Sequence, residues 1–233
     1  MGRVPRWRMG KGFYHVLNRG INSAWILSSP EERDYFCKLL FEQRKNFKIE
    51  IYHYVVMSNH FHLALETLDT KTLSAYIGKV SSLYSRYWHR TQKAGRGTIW
   101  QGRFQSIIVQ KELYLNRLGR YIERNPVVAG IEEIEKPEDY KWSSAAAYVS
   151  AKVDNLIEPS RHPYRLNWGN SEEECRKNYG KYIGASQDDA EKDIFMQEGG
   201  CIGDDEFKAG IKQVTGRASS RKRGRPRKEK CNI

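Results

Sequence analysis

The chain has 233 residues, enough for one sizeable domain with extensions or for two small domains. Forty Lys and Arg against 28 Asp and Glu leave a formal net charge of +12, which points to a negatively charged partner, nucleic acid first, because a basic surface attracts phosphates and releases their counterions. No long apolar run or signal-peptide pattern speaks for a membrane, and Cys37, Cys175, Cys201 and Cys231 are scattered without a Cys-x-x-Cys pair; neither a zinc ribbon nor a disulfide framework is indicated, and a reduced, cytoplasmic protein is expected.

Phe13 to Asn18 is rich in aromatic and β-branched residues and ends at Arg19-Gly20, which predicts a first strand. His15 on that strand reads either as a metal ligand or, more plainly, as a polar strand residue. Ser29-Pro30-Glu31-Glu32 is a helix start: Ser29 can cap, Pro30 suits the first helical position and Glu32 completes a capping box. Tyr35, Phe36, Leu39, Leu40 and Phe47 then recur at helical spacing and give that helix one apolar face. Ile49 to Met57 returns to strand composition. After Ser58-Asn59 a second strand follows too soon for a crossover helix, so the two should pair antiparallel. Alternation puts His60 and His62 on one side of this strand and Phe61, Leu63 and Leu65 on the other. Burying the apolar set pins the register, because a one-residue slip would bury the imidazoles instead. Two imidazoles on one face of a sheet suit a metal ion, although a lone His-x-His fits two ordinary polar-face histidines equally well. His53, on the preceding strand, reads as structural.

Lys71 to Ala94 carries the longest helical pattern, with Leu73, Tyr76, Ile77, Val80, Tyr84 and Tyr87 on its apolar stripe and Lys79, Arg86 and Arg90 elsewhere; Gly95 and Gly97 stop it. The loop from Arg96 to Phe104 interleaves basic and aromatic residues, which makes Arg96, Trp100, Gln101 and Arg103 candidates for phosphate contact and base stacking. The competing reading is a turn whose Trp100 plugs the core. Phe104 to Val109 is a further strand. Lys111 to Asn125 forms a helix with Leu115, Leu118 and Ile122 buried, and Tyr121 and Asn125, four apart, sit one above the other until Pro126 ends the helix. Taken alone, that tyrosine would pass as a packing residue.

Three blocks in this order, Val56-Met57-Ser58-Asn59-His60-Phe61-His62-Leu63, Ile99-Trp100-Gln101-Gly102-Arg103-Phe104 and Tyr121-Ile122-Glu123-Arg124-Asn125-Pro126-Val127-Val128-Ala129-Gly130, followed by Trp142-Ser143-Ser144, resemble REP-associated tyrosine transposases. These form part of the single-tyrosine branch of the HUH nucleases, in which U is a bulky apolar residue, here Phe61. Ser58 stands where relatives often have proline. The resemblance implies an α+β fold: a ferredoxin-like, split β-α-β antiparallel sheet with helices on one face. It implies His60, His62 and Asn125 as ligands of a divalent metal, Mg²⁺ or Mn²⁺, and Tyr121 as the nucleophile; helical spacing makes Tyr114, seven residues earlier and roughly on the same face, the substitute candidate. The implied reaction is cleavage and rejoining of single-stranded DNA beside a palindromic hairpin through a 5′-phosphotyrosine link. Two other classes stay open: a non-catalytic nucleic-acid-binding protein that keeps the fold, and a water-using metallonuclease in which Tyr121 is structural. Both monomer and homodimer are compatible with the resemblance.

The nuclease domain is expected to span residues 1–152, followed by a helical extension over 153–215 with helices at 171–183 and 188–197 and a turn at 199–207 leading into a short helix. A tail over 216–233 completes the chain. Its eight Lys and Arg from Arg217 to Lys230 against Glu229 give seven of the twelve net charges, and with few apolar residues it is expected to be disordered. Arg223-Gly224-Arg225-Pro226 resembles the core of an AT-hook, which would place Arg223 and Arg225 in a minor groove; a generic basic tail fits as well. Either way the tail adds phosphate affinity rather than sequence discrimination.

Overall fold

The structure, a computed structural model, describes residues 10–93, 95, 97–131, 134–186, 193–196 and 200–215. Arg96, the 216–233 tail with Arg223 and Arg225, and most of the helix expected at 188–197 lie outside the described residues.

Strands β1 (Gly12–Arg19), β2 (Ile49–Val56), β3 (His60–Thr67), β4 (Gln105–Val109) and β5 (Cys201–Ile202) make one sheet in the order β2-β3-β1-β4-β5. The first four pair antiparallel with their neighbours, and β5 runs parallel to β4. Helix α1 (Pro30–Arg44) connects β1 to β2, and α2 (Thr70–Thr91) connects β3 to β4, so two split β-α-β units interleave around the central β1–β3 pair. The sequence signals for these helices operate as physical caps. Ser29 Oγ accepts from the Glu32 amide at 3.2 Å and the Glu32 carboxylate accepts from the Ser29 amide at 3.0 Å, while Asp69 caps α2 through the Thr72 amide at 2.7 Å.

The sheet is covered on both faces, and the pleat decides which residues go where. Tyr14, Val16, Phe61, Leu63 and Leu65 point to the side where α1 and α2 lie together, with Leu73, Tyr76, Val80 and Tyr84 of α2 packed on them. Phe13, Val55, Met57, Ala64 and Ile107 point to the other side, against Leu115, Leu118 and Ile122 of α3 (Lys111–Glu123). The two crossover helices thus share one face, as expected, and α3 takes the face left for the histidines. A register shift between Ile51 and His53 in β2, a β-bulge, leaves Tyr52 as the extra residue, and both Tyr52 and His53 lie on the α3 side.

After α3 come a short turn α4 (Asn125–Val128) and α5 (Ala145–Val149), then α6 (Glu172–Gly184) and α7 (Asp205–Thr215). The segment read from sequence as a turn at 199–207 contributes β5 to the sheet edge, paired with Ile108 and Val109. Two residues carry no periodicity, so composition could not announce them. Among the described residues no helix is long and apolar enough to cross a membrane.

Candidate active site

Strand register builds the site. Leu17 lies opposite His62 and Arg19 opposite His60, so the α3 face of β1 and β3 gathers His15, Arg19, His60 and His62 at one end of the sheet. The His60 and His62 rings are 5.1 Å apart between centroids, with Phe61, Leu63 and Leu65 fully buried on the opposite face. Helix α3 brings the Tyr121 ring to 5.7 Å from His62 and 5.9 Å from His15. One turn on, Asn125 Nδ2 donates to the carbonyls of Tyr121 (2.7 Å) and Ile122 (3.3 Å), which leaves its amide oxygen uncommitted to the helix and beside His60. Tyr114 is not brought to the imidazoles: its ring meets Phe195 and Arg117 instead.

Burial sets the protonation states. Desolvation pulls His60 below the usual imidazole range. It pulls His62 well below, aided by the neighbouring His15 and His60, and lowers His15 to about 3. All three rings are therefore neutral near pH 7 and keep a lone pair. His60 Nδ1 lies 2.6 Å from Asn59 Oδ1; an amide oxygen can only accept, so Nδ1 carries the proton and Nε2 is bare. Two neutral imidazoles and an amide oxygen, with no carboxylate among them, fit a divalent cation. Among the described residues no cluster of three His, Cys, Asp or Glu could hold a metal. The Tyr121 phenol is pushed up to about 12 by burial, and Phe195 packs on its ring at 5.3 Å.

The basic loop expected to meet DNA divides in two. Gln101 accepts a hydrogen bond from Arg19 Nε, its amide donates to the Arg19 carbonyl at 2.9 Å, and Arg103 is exposed beside it. Trp100 requires a correction. Only 5% exposed, it sits among the rings of Phe36, Phe61 and Tyr84 on the α1/α2 side and its Nε1 donates to the Ser81 carbonyl, so it plugs the core and cannot stack on a base. The aromatic exposed at this end is Trp25, at 71%, just after a turn held by Ile21 N–H to the Ile99 carbonyl (2.9 Å) and by Asn59 Nδ2 to the Ser23 carbonyl (3.4 Å). Arg19, Trp25 and Asn59 were not singled out from sequence. The strand parity of Arg19 was visible, but its adjacency to His60 is a property of the sheet order.

Helix α3 is held in place by buried polar contacts. Glu123, fully buried two residues past Tyr121, accepts from His53 Nδ1 (2.9 Å), Ser144 Oγ (2.6 Å) and Tyr179 Oη (2.8 Å). Arg124 donates to the carbonyls of Ile183 (2.7 Å) and Gly184 (2.9 Å), and Arg120 to those of Ala185 (2.9 Å) and Ser186 (2.6 Å), capping the C-terminal end of α6. The segment after residue 152 is thereby tied directly to the helix that carries Tyr121.

A family model described as transposase, IS200-like, matches residues 10–125, a span that contains β1 to β4 with His60, His62 and Tyr121 and ends on Asn125. Among curated proteins none matches the chain. A solved structure of a REP-associated tyrosine transposase bound to a REP hairpin aligns with a TM-score of 0.52 at 16% identity, covering 68% of this chain and 92% of that one, a likeness of fold. With the split β-α-β sheet in place and the motif blocks converging at one end of it, residues 10–125 match the IS200-like transposase family.

Proposed function

We propose that the chain is a metal-dependent single-strand DNA endonuclease and strand transferase of the REP-associated type, with Tyr121 as nucleophile and His60, His62 and Asn125 as ligands of Mg²⁺ or Mn²⁺. The observation that carries this reading is the convergence of α3 on β3: one helical turn places the phenol beside His62 and the amide beside His60. The site is completed by residues of a single chain, which supports action as a monomer. A divalent cation at these donors would supply Lewis-acid polarisation and orientation of the scissile phosphate. The rest is the work of the side chains. Tyr121 gives up its proton and its oxygen forms the new bond to phosphorus while the bond to the 3′-oxygen breaks; the departing oxygen is protonated, and the 5′-phosphate stays on the tyrosine. A second 3′-hydroxyl reverses the step and rejoins strands, because the bond energy is kept in the phosphotyrosine. Arg19, opposite His60 and held by Gln101, adds a cation where the phosphate must lie.

The substrate class we propose is a palindromic hairpin with a single-stranded flank. It is supported by the basic charge and by the fold shared with a transposase bound to a REP hairpin. A labelled hairpin oligonucleotide incubated with the protein and Mn²⁺ should give a protein–DNA adduct on a denaturing gel that is lost in Tyr121→Phe. Cleavage that persists in Tyr121→Phe with no adduct would establish a water-using nuclease instead, and hairpin binding without cleavage under any divalent metal would establish a binding protein.

A further inference from the structure

We infer that His15 is a positioning residue for His62: it accepts the proton on His62 Nδ1 and so presents His62 Nε2, lone pair free, to the metal. This rests on the ligand set proposed above. On sequence alone His15 had two readings, ligand or polar strand residue, and its geometry matches neither. His15 is fully buried, its Nε2 is 2.8 Å from His62 Nδ1, and the two rings stack with centroids 5.0 Å apart.

A hydrogen bond between two neutral imidazoles needs one donor and one acceptor, which leaves two arrangements. If His15 Nε2–H donates to His62 Nδ1, the His62 proton must sit on Nε2, and that nitrogen cannot bind a cation. If His62 Nδ1–H donates to His15 Nε2, His62 Nε2 is bare. Metal binding at His62 therefore selects the second arrangement. Asn59 fixes the same tautomer on His60 through an amide oxygen that can only accept. Both proposed ligands thus have the Nδ1 support that metal-bound histidines use to hold ring orientation. His15 itself has its Nε2 engaged with His62, and its Nδ1 is buried without a hydrogen-bond partner among the described residues. In the selected arrangement that nitrogen carries an unsatisfied N–H.

The test is Mn²⁺ affinity of the full chain, measured by calorimetry, together with pulsed electron paramagnetic resonance to count coordinated imidazoles. His15→Gln keeps an acceptor within reach of His62 Nδ1 and should bind Mn²⁺ close to wild type. His15→Leu, which has none, should bind about 10- to 100-fold more weakly while its circular dichroism spectrum stays native. His15→Met, of similar volume and equally unable to support the proton, gives the same comparison should the leucine variant misfold. The wild-type count should be two imidazoles. Unchanged affinity in the apolar variants would overturn the positioning role. A count of three in wild type, falling to two in His15→Gln, would overturn it in favour of direct ligation. Mn²⁺ binding unaffected by His60→Ala and His62→Ala would instead show that the ligand set is wrong, a distinguishable failure.

Discussion

Tyr121 enters the site as a neutral phenol, raised to about 12 by burial, and its neighbours His15 and His62 are equally uncharged. The site is therefore poised by desolvation rather than by a neighbouring acid, which is what a cluster of would-be ligands requires before a cation arrives. Two pairings in it were readable from spacing. Alternation puts His60 and His62 on one face, and a separation of four puts Tyr121 and Asn125 on another. Arg19 and the pairing of His15 with His62 escaped because the residues they adjoin are about 40 to 47 positions away, and periodicity within a strand says nothing of which strand lies alongside. Trp100 misled for a related reason: a loop's composition cannot tell whether an aromatic ring turns inward. The exposed ring of Trp25 at the same end of the sheet is better placed to stack on a base. Trp25→Ala should weaken binding of the hairpin with its single-stranded flank by about 1–3 kcal/mol without changing thermal stability. Equal affinities in a fluorescence anisotropy titration would remove Trp25 from the interface.

At the level of elements, α3 is the piece whose placement decides the proposed activity, and it is fixed by contacts that propensity does not record. The β2 bulge and the Glu123 cluster with His53, Ser144 and Tyr179 join residues far apart in the chain, so neither was visible in the sequence, whereas the caps of α1 and α2 were, being local. Gly119 shows the consequence. A Cβ there would lie 2.6 Å from the fully buried His53 imidazole, which Glu123 and His162 hold on both ring nitrogens. In an exposed helix interior Gly→Ala stabilises by about 1 kcal/mol. Gly119→Ala should do the reverse, lowering stability by about 1–3 kcal/mol and weakening cleavage by tilting α3. A rise in the urea midpoint for this variant would show that His53 yields easily and that the clamp on α3 is loose.

For the whole molecule, buried neutral histidines couple folding to pH. His15 and His162 are lowered to about 3 and about 2 in the folded chain from a usual 6.5, in both cases chiefly by burial. Below 6.5 the unfolded chain takes up protons that the folded chain refuses, so the stability these groups contribute is complete above that pH and lost as pH falls through 6.5 toward 3. Metal-free protein should therefore show a falling urea midpoint between pH 7.5 and pH 5; a flat profile would mean that these rings are solvated in solution. The charge balance makes a separate prediction, since residues 216–233 hold seven of the twelve net positive charges. A chain ending at Thr215 should bind the hairpin more weakly and with a shallower salt dependence, each lost phosphate contact removing about 0.7–0.9 from the log–log slope. An unchanged slope would place the tail away from the DNA. In the proposed reaction Tyr121 becomes covalently joined to DNA. Its most direct test is peptide mapping by mass spectrometry of the adduct formed from hairpin DNA and Mn²⁺. The predicted result is a nucleotide-bearing peptide modified at Tyr121; modification at Tyr114, or cleaved DNA with every tyrosine unmodified, would contradict it.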